Sequence, residues 1–234
     1  MEPTLVVMLP GTGSDARFVE DSFTDAVTSR GWTLRAVDPD PRNVVAGYRD
    51  ALDAAVHERR EPIVVGGVSL GAAVAVQWAL DHPDRVTGVV AAMPAWSGPA
   101  DGSLAAVSAS TTARALRDRG LEATLADMAA SAPAWLSRTL TRSWRAQWPD
   151  LPVAMDDAAA YVAPTAAALG TLAVPVGVVA AVDDPIHPLH VAEYWHGAFP
   201  RARLETFVLA VLGSEPGELG RRGLRALDRA REQT

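Results

Sequence analysis

The chain contains no cysteine and no lysine. Without cysteine there are no disulfides, no thiolate metal sites and no cysteine nucleophile, and cysteine usage says nothing about the redox compartment. Without lysine there is no amine to serve as a base or to form a Schiff base. All positive side chains are arginines, and acidic groups outnumber them to a net charge of -7. That balance argues against a nucleic-acid partner, because phosphate binding needs a basic face. No apolar run approaches the ~20 residues of a membrane span, so no membrane insertion is expected. The opening MEPTLVVMLPGTG has an acid where a signal peptide would be basic. It is expected to be a first strand, which points to a cytoplasmic protein.

The 234 residues, 49% hydrophobic, are enough for one large core, and a single domain spanning 1–234 is expected. Short β-branched runs alternate with helical patterns, the signature of an α/β sheet covered by helices on both faces. Strands are expected at Thr4 to Met8, Trp32 to Val37, Ile63 to Val68, Val86 to Ala92, Val174 to Val182 and Leu204 to Leu209. Helices are expected from Ala16 to Arg30, over the face Val44, Tyr48, Leu52 and Val56, directly after Ser69, and from Glu218 to Arg231. Residues 97–170 break the alternation. They hold helical stretches near 104–130, 134–147 and 155–169, expected to form an inserted cap over the sheet.

Three segments carry chemistry. The first is Gly67-Val68-Ser69-Leu70-Gly71, a G-x-S-x-G pattern between a buried strand and an Ala- and Val-rich helix. A serine at such a turn is held in strained backbone geometry with its oxygen above the sheet. The following N–H, that of Leu70, lies at a helix N-terminus and can stabilise an oxyanion. The plain alternative is a small residue in a tight turn. The second segment is Leu9-Pro10-Gly11-Thr12-Gly13-Ser14-Asp15, after the first strand. It matches neither G-x-x-x-x-G-K nor a full G-x-G-x-x-G, so no phosphate-bearing cofactor is expected. A helix-capping turn at Ser14 or Asp15 is its alternative role. The third is Asp183-Asp184-Pro185-Ile186-His187-Pro188, at the end of the fifth strand, where open α/β sheets place function.

In this order the three segments resemble the α/β-hydrolase superfamily over nearly the whole chain. The resemblance implies an α/β-hydrolase fold with a mostly parallel sheet and a helical cap. It implies Ser69 as nucleophile, with the Leu70 and Thr12 N–H groups as the oxyanion hole. Family members commonly have proline four residues after the acid, which selects Asp184, with Pro188, over Asp183.

The family's histidine, expected in the loop after the last strand, is missing. Many relatives have Gly-His-x-Pro there, whereas this chain reads Gly213-Ser214-Glu215-Pro216, and no histidine follows His196. Serine does not serve as a base at neutral pH, and a serine nucleophile without a base is weak. Of the five histidines, His57 reads as a solvated helix end, His82 belongs at the bottom of the sheet, and His196 sits late in a helix beside Trp195. His187 follows Asp184 by three residues, a spacing one turn could close into an Asp–His hydrogen bond. A loop histidine that packs or caps a helix is the alternative. His187 and His190 lack a third ligand at a metal-site spacing, and no metal is expected.

Trp96, past the fourth strand, and Trp135 and Trp144, in the cap, together with Met93, are expected to line an apolar pocket, or else to pack the cap onto the core. Arg138, Arg142 and Arg145 form either a solvated helix face or a set that steers a carboxylate. These features point to a serine-dependent acyl hydrolase acting on a small, fairly apolar ester or thioester. The other reading is a hydrolase-fold protein without hydrolytic turnover, either a small-molecule binding module or a non-hydrolytic enzyme. Oligomeric state is not written in the sequence.

Overall fold

The structure, a computed structural model, describes residues 3–232. Its centre is a six-stranded, wholly parallel sheet: β1 (Leu5–Leu9), β2 (Thr33–Ala36), β3 (Ile63–Val68), β4 (Val86–Ala92), β5 (Val176–Ala181) and β6 (Ala202–Phe207), in the spatial order β2-β1-β3-β4-β5-β6. Strands β1, β3 and β5 are buried along their whole length. They read as continuous apolar runs because helices cover both faces.

Alternate side chains of each strand feed two cores. Val6, Met8, Val64, Val68, Val90 and Val179 pack under α1 (Ala16–Thr28) and α9 (Glu218–Arg231) through Val19, Phe23, Leu224 and Leu227. Leu5, Val7, Leu9, Val65, Val89 and Val178 pack on the other face. Their covers are α2 (Val44–Glu58), α3 (Leu70–Asp81) and α8 (Leu189–Ala198), through Tyr48, Leu52, Trp78 and Trp195. The nearly uniform burial of α3 explains its lack of a polar face.

Between β4 and β5 the chain builds the helices α4 (Leu104–Ser131), α5 (Ala134–Gln147), α6 (Leu151–Ala160) and α7 (Ala166–Leu169). Helix α4 is broken at Gly120, whose φ of 77° and ψ of 176° are non-helical. The cap has a small core of its own, with Leu116, Leu125, Trp144, Leu151 and Met155.

The strand expectations hold to within two residues at each end. The helix expected over 155–169 is corrected. It begins at Leu151, because Pro152 sits in the first turn, where its missing N–H costs nothing. It ends at Ala160, and the short α7 forms only after Pro164. No helix among the described residues is long and apolar enough to cross a membrane.

Helix α9 closes the sheet through Leu227, which is fully buried and lies against Gly88 of β4 and Gly177 of β5. Leu227→Ala should cost about 3 kcal/mol, read as a shifted midpoint in urea with an unchanged slope.

Candidate active site

Strand order reverses between β1 and β3: β2 lies to one side of β1, and β4 to β6 follow on the other side of β3. Such a switch point opens a crevice at the carboxyl ends of its two strands. Here the loop after β1 is Pro10–Asp15, and the residue after β3 is Ser69.

Ser69 adopts φ 55° and ψ -116°, a conformation that side-chain-bearing residues rarely occupy. The strain is imposed by crowding. A Cβ on Gly67 would stand 2.3 Å from the Gly71 carbonyl carbon, and one on Gly71 would stand 2.4 Å from Leu9 O and 2.5 Å from Pro10 O. Glycine on both sides therefore lets α3 fold back over β3 and under the loop after β1. The Ser69 N–H donates to Ala92 O of β4 at 2.9 Å. Met93, the residue after β4, is the other non-glycine residue at positive φ among the described residues, at 50°. Two strained residues thus sit side by side at neighbouring strand ends.

The loop after β1 is a tight turn, closed by Ser14 N–H donating to Gly11 O at 3.0 Å, with Gly13 at φ 67°. Its Pro10 carbonyl accepts from the buried Tyr48 hydroxyl at 3.1 Å. Asp15, rather than Ser14, caps α1 by accepting from Phe18 N–H at 3.0 Å. Neither the Thr12 nor the Leu70 N–H donates a hydrogen bond among the described residues. Both proposed oxyanion donors are unengaged.

At the end of β5, Asp184 forms an Asx turn. Its Oδ1 accepts from the Ile186 N–H at 2.8 Å and the His187 N–H at 3.4 Å. This brings His187 Nδ1 to 2.7 Å from Asp184 Oδ2. A carboxylate accepts, so Nδ1 carries the proton and Nε2 is left with a lone pair. Asp184 is 9% exposed, and the His187 side chain 17%. Burial alone would raise the Asp184 carboxyl. The hydrogen bond and charge of His187, together with the two backbone N–H donors, outweigh it and hold the group below its ordinary value. Asp183 turns the other way and accepts from Leu209 N–H at 2.7 Å, anchoring the loop after β6.

That loop, where relatives have their histidine, is a 3-10 turn over Leu209–Gly213. Ser214 is exposed, and its hydroxyl donates to Val211 O at 3.3 Å. The indole of Trp135 lies against the turn, 2.8 Å from where a Gly213 Cβ would stand. No hydrogen bond joins Ser69 Oγ to any residue among those described.

The four expected pocket residues separate. Met93 and Trp135 share a cluster with Val68, Phe207 and Leu212, around the end of β3. Trp144 belongs to the cap core and faces Gly13. Trp96 packs in the core on the α3 side. Its N–H donates to Tyr161 O at 3.1 Å, and its own carbonyl accepts from Trp195 N–H at 3.2 Å. Of the arginines, Arg142 grips Asp15 through two bonds of 2.9 and 2.8 Å, Arg145 pairs with Glu122, and Arg138 is exposed. His57 and His190 are exposed on helices, and His82 stacks on Trp78 at the far end of α3. The sequence carried no signal for the clamps that Tyr48, Arg142 and Gln147 place on the loop after β1.

The family model for serine aminopeptidase S33, within the α/β-hydrolases, matches residues 3–205. The chain belongs to this family. Solved structures of the same fold include MenH from S. aureus, at 14% identity and TM-score 0.76 over 99% of this chain and 96% of that one. The esterase RhEst1 from Rhodococcus sp. ECU1013 is 16% identical, with TM-score 0.68 over 98% and 89%. The esterase EaEST from Exiguobacterium antarcticum is 16% identical, with TM-score 0.70 over 88% and 84%. No curated protein sequence matches the chain.

Two outcomes follow from this α/β-hydrolase geometry. Ser69→Gly should raise stability by about 1 kcal/mol, because relief of strain exceeds the added freedom of the unfolded chain; Ser69→Ala should not. A carboxyl depressed in the folded state stabilises the fold above its free value of 3.8, and that contribution is lost as pH falls through the lower folded value. Melting curves of wild type and Asp184→Asn should therefore differ fully at pH 6 and converge below about pH 4.

Proposed function

We propose that the chain is a serine-dependent acyl hydrolase acting on a small, fairly apolar ester or thioester. Ser69 Oγ attacks the acyl carbon. The Leu70 and Thr12 N–H groups receive the oxyanion, and His187 Nε2 takes the serine proton and later returns it to the leaving group. Asp184 holds the His187 Nδ1–H and stabilises the imidazolium. Water, deprotonated by the same His187, then attacks the acyl carbon, and Ser69 Oγ leaves with the proton from His187 as the acid is released.

The observation that carries this reading is the 2.7 Å bond between His187 and the buried Asp184. It is the acid–base half of a triad, moved from the loop after β6 to the loop after β5. In the order β3-β4-β5, Ser69 and Asp184 leave strands two positions apart, about 10 Å in the sheet. A serine and a histidine side chain reaching inward are of the right size for that span. The apolar character of the substrate rests on Met93 and Trp135 beside the end of β3. The family description adds aminoacyl amides to the substrates worth testing, since the same groups would serve an amide leaving group.

The second reading, a hydrolase-fold binder without turnover, is favoured by the unengaged Ser69 Oγ and by Ser214 at the family's histidine position. Fluorophosphonate labelling followed by intact mass separates the two. Wild type should take one label, Ser69→Ala none, and His187→Ala should label at least ~100-fold more slowly, the scale of a lost general base. Hydrolysis of a panel of short acyl esters, thioesters and an aminoacyl anilide should follow the same order. A folded wild type that neither labels nor turns over any of them establishes the binder reading instead.

A further inference from the structure

The clamps on the loop after β1 come from two sides. On the core side, Tyr48 holds Pro10 O, and Asp38 Oδ1 accepts the Ala16 N–H at 3.0 Å. On the cap side, three side chains of one helix reach the same short loop. From α5, Gln147 Nε2 donates to Ser14 O at 3.0 Å, Arg142 grips Asp15, and Trp144 Nε1 stands 2.7 Å from where a Gly13 Cβ would be. Met155 of α6 closes on Gly13 at the same distance. At its other end, α5 lays Trp135 on the turn after β6.

We infer that α5 positions the oxyanion hole, and that Gln147 is the positioning residue that fixes Thr12 through the Ser14 carbonyl. The inference rests on the acyl-hydrolase reading for its kinetic consequence, though not for the coupling itself.

Three features single out Gln147. It is 6% exposed, so its hydrogen bond is made out of water and has a defined geometry. Its amide is fixed at a second point by donating to Ser143 Oγ at 2.7 Å. The Ser14 carbonyl it binds belongs to the last residue of the Gly11–Ser14 turn, two residues from Thr12 and next to Gly13 at φ 67°. Rotation of the turn's peptides swings the Thr12 N–H, and the Gln147 bond opposes that rotation from the cap side.

The seam is poorly built for stability alone. Ser14 Oγ, Trp144 Nε1 and Gln147 Oε1 are all buried there without a hydrogen-bond partner among the described residues. Native cores seldom leave buried polar atoms unpaired, so the seam holds these groups at a cost. A shift of the cap therefore becomes a shift of an oxyanion donor, and the arrangement ties catalytic competence to cap position.

The test uses Gln147→Met, nearly the same shape without the donor, in the full chain. Two readouts are taken: the 1H–15N amide shifts of Thr12 and Leu70, and kcat and KM on the best ester of the panel with a pH profile. The Thr12 amide should move and the Leu70 amide stay. Turnover should fall about tenfold or more with KM within threefold, as expected for a misplaced oxyanion donor. The pH profile should not change, because His187 is untouched. Arg142→Met, at a half-exposed pair, should shift the same amide with a smaller loss of kcat, and it replaces Gln147→Met if that variant does not fold. A folded variant with an unmoved Thr12 amide and kcat within twofold of wild type overturns the inference. If wild type has no turnover, the acyl-hydrolase reading fails, and the Thr12 shift alone still decides the coupling.

Discussion

Three stretches of backbone meet under Ser69 with no room for a side chain between them. The end of β3, the first turn of α3 and the Leu9–Pro10 end of β1 approach so closely that a single Cβ on Gly67 or Gly71 would fall inside a carbonyl group. Much of the site follows from that contact. It forces Ser69 to φ 55°, lifting its side chain out of the helix, and leaves the Leu70 N–H at a helix start with no partner among the described residues. It also seats the loop after β1 beside the serine. The switch in strand order between β1 and β3 makes the contact possible, because there the two chains leave the sheet toward opposite faces, β1 to α1 and β3 to α3.

The Asp184–His187 pair is built on different terms. Asp184 is held by its own loop: two backbone N–H groups fix one oxygen, and the ring of His187 takes the other. This unit needs nothing from β6. The turn after β6 is occupied by other work, with Asp183 capping its start and Trp135 lying on Gly213. The turn is therefore a coherent local structure with Ser214 in it. The cap contributes in both places through α5, whose first turn covers the β6 loop and whose last turn grips the β1 loop.

Much of the frame was legible in the sequence, for a physical reason in each case. A strand buried on both faces must be apolar throughout, so Ile63–Val68 and Val86–Ala92 stand out against their flanks. Helix α9 stands out by its leucines set against arginines. The cap was harder. Prolines mark breaks, yet Pro152 belongs to a first turn, where it is tolerated, and the third cap helix consequently starts earlier than its periodicity suggests. Trp96 and Trp144 share a residue type but separate to two different cores, a distinction that no local pattern encodes.

The sequence alone determined what local chemistry can determine. G-x-S-x-G between strand and helix, the glycine turn after β1, and an aspartate three residues before a histidine are each short-range, and each folded as its spacing required. It also placed Ser214 where the family resemblance expects a histidine. Tertiary structure alone decided where Asp183 goes, since its partner, the Leu209 N–H, lies beyond a further helix and strand. It likewise decided that a cap arginine and a cap glutamine more than 125 residues along the chain would clamp the β1 loop. Contacts over such separations depend on how helices pack, and packing reads volume and shape across the whole core rather than the order of residues along one segment.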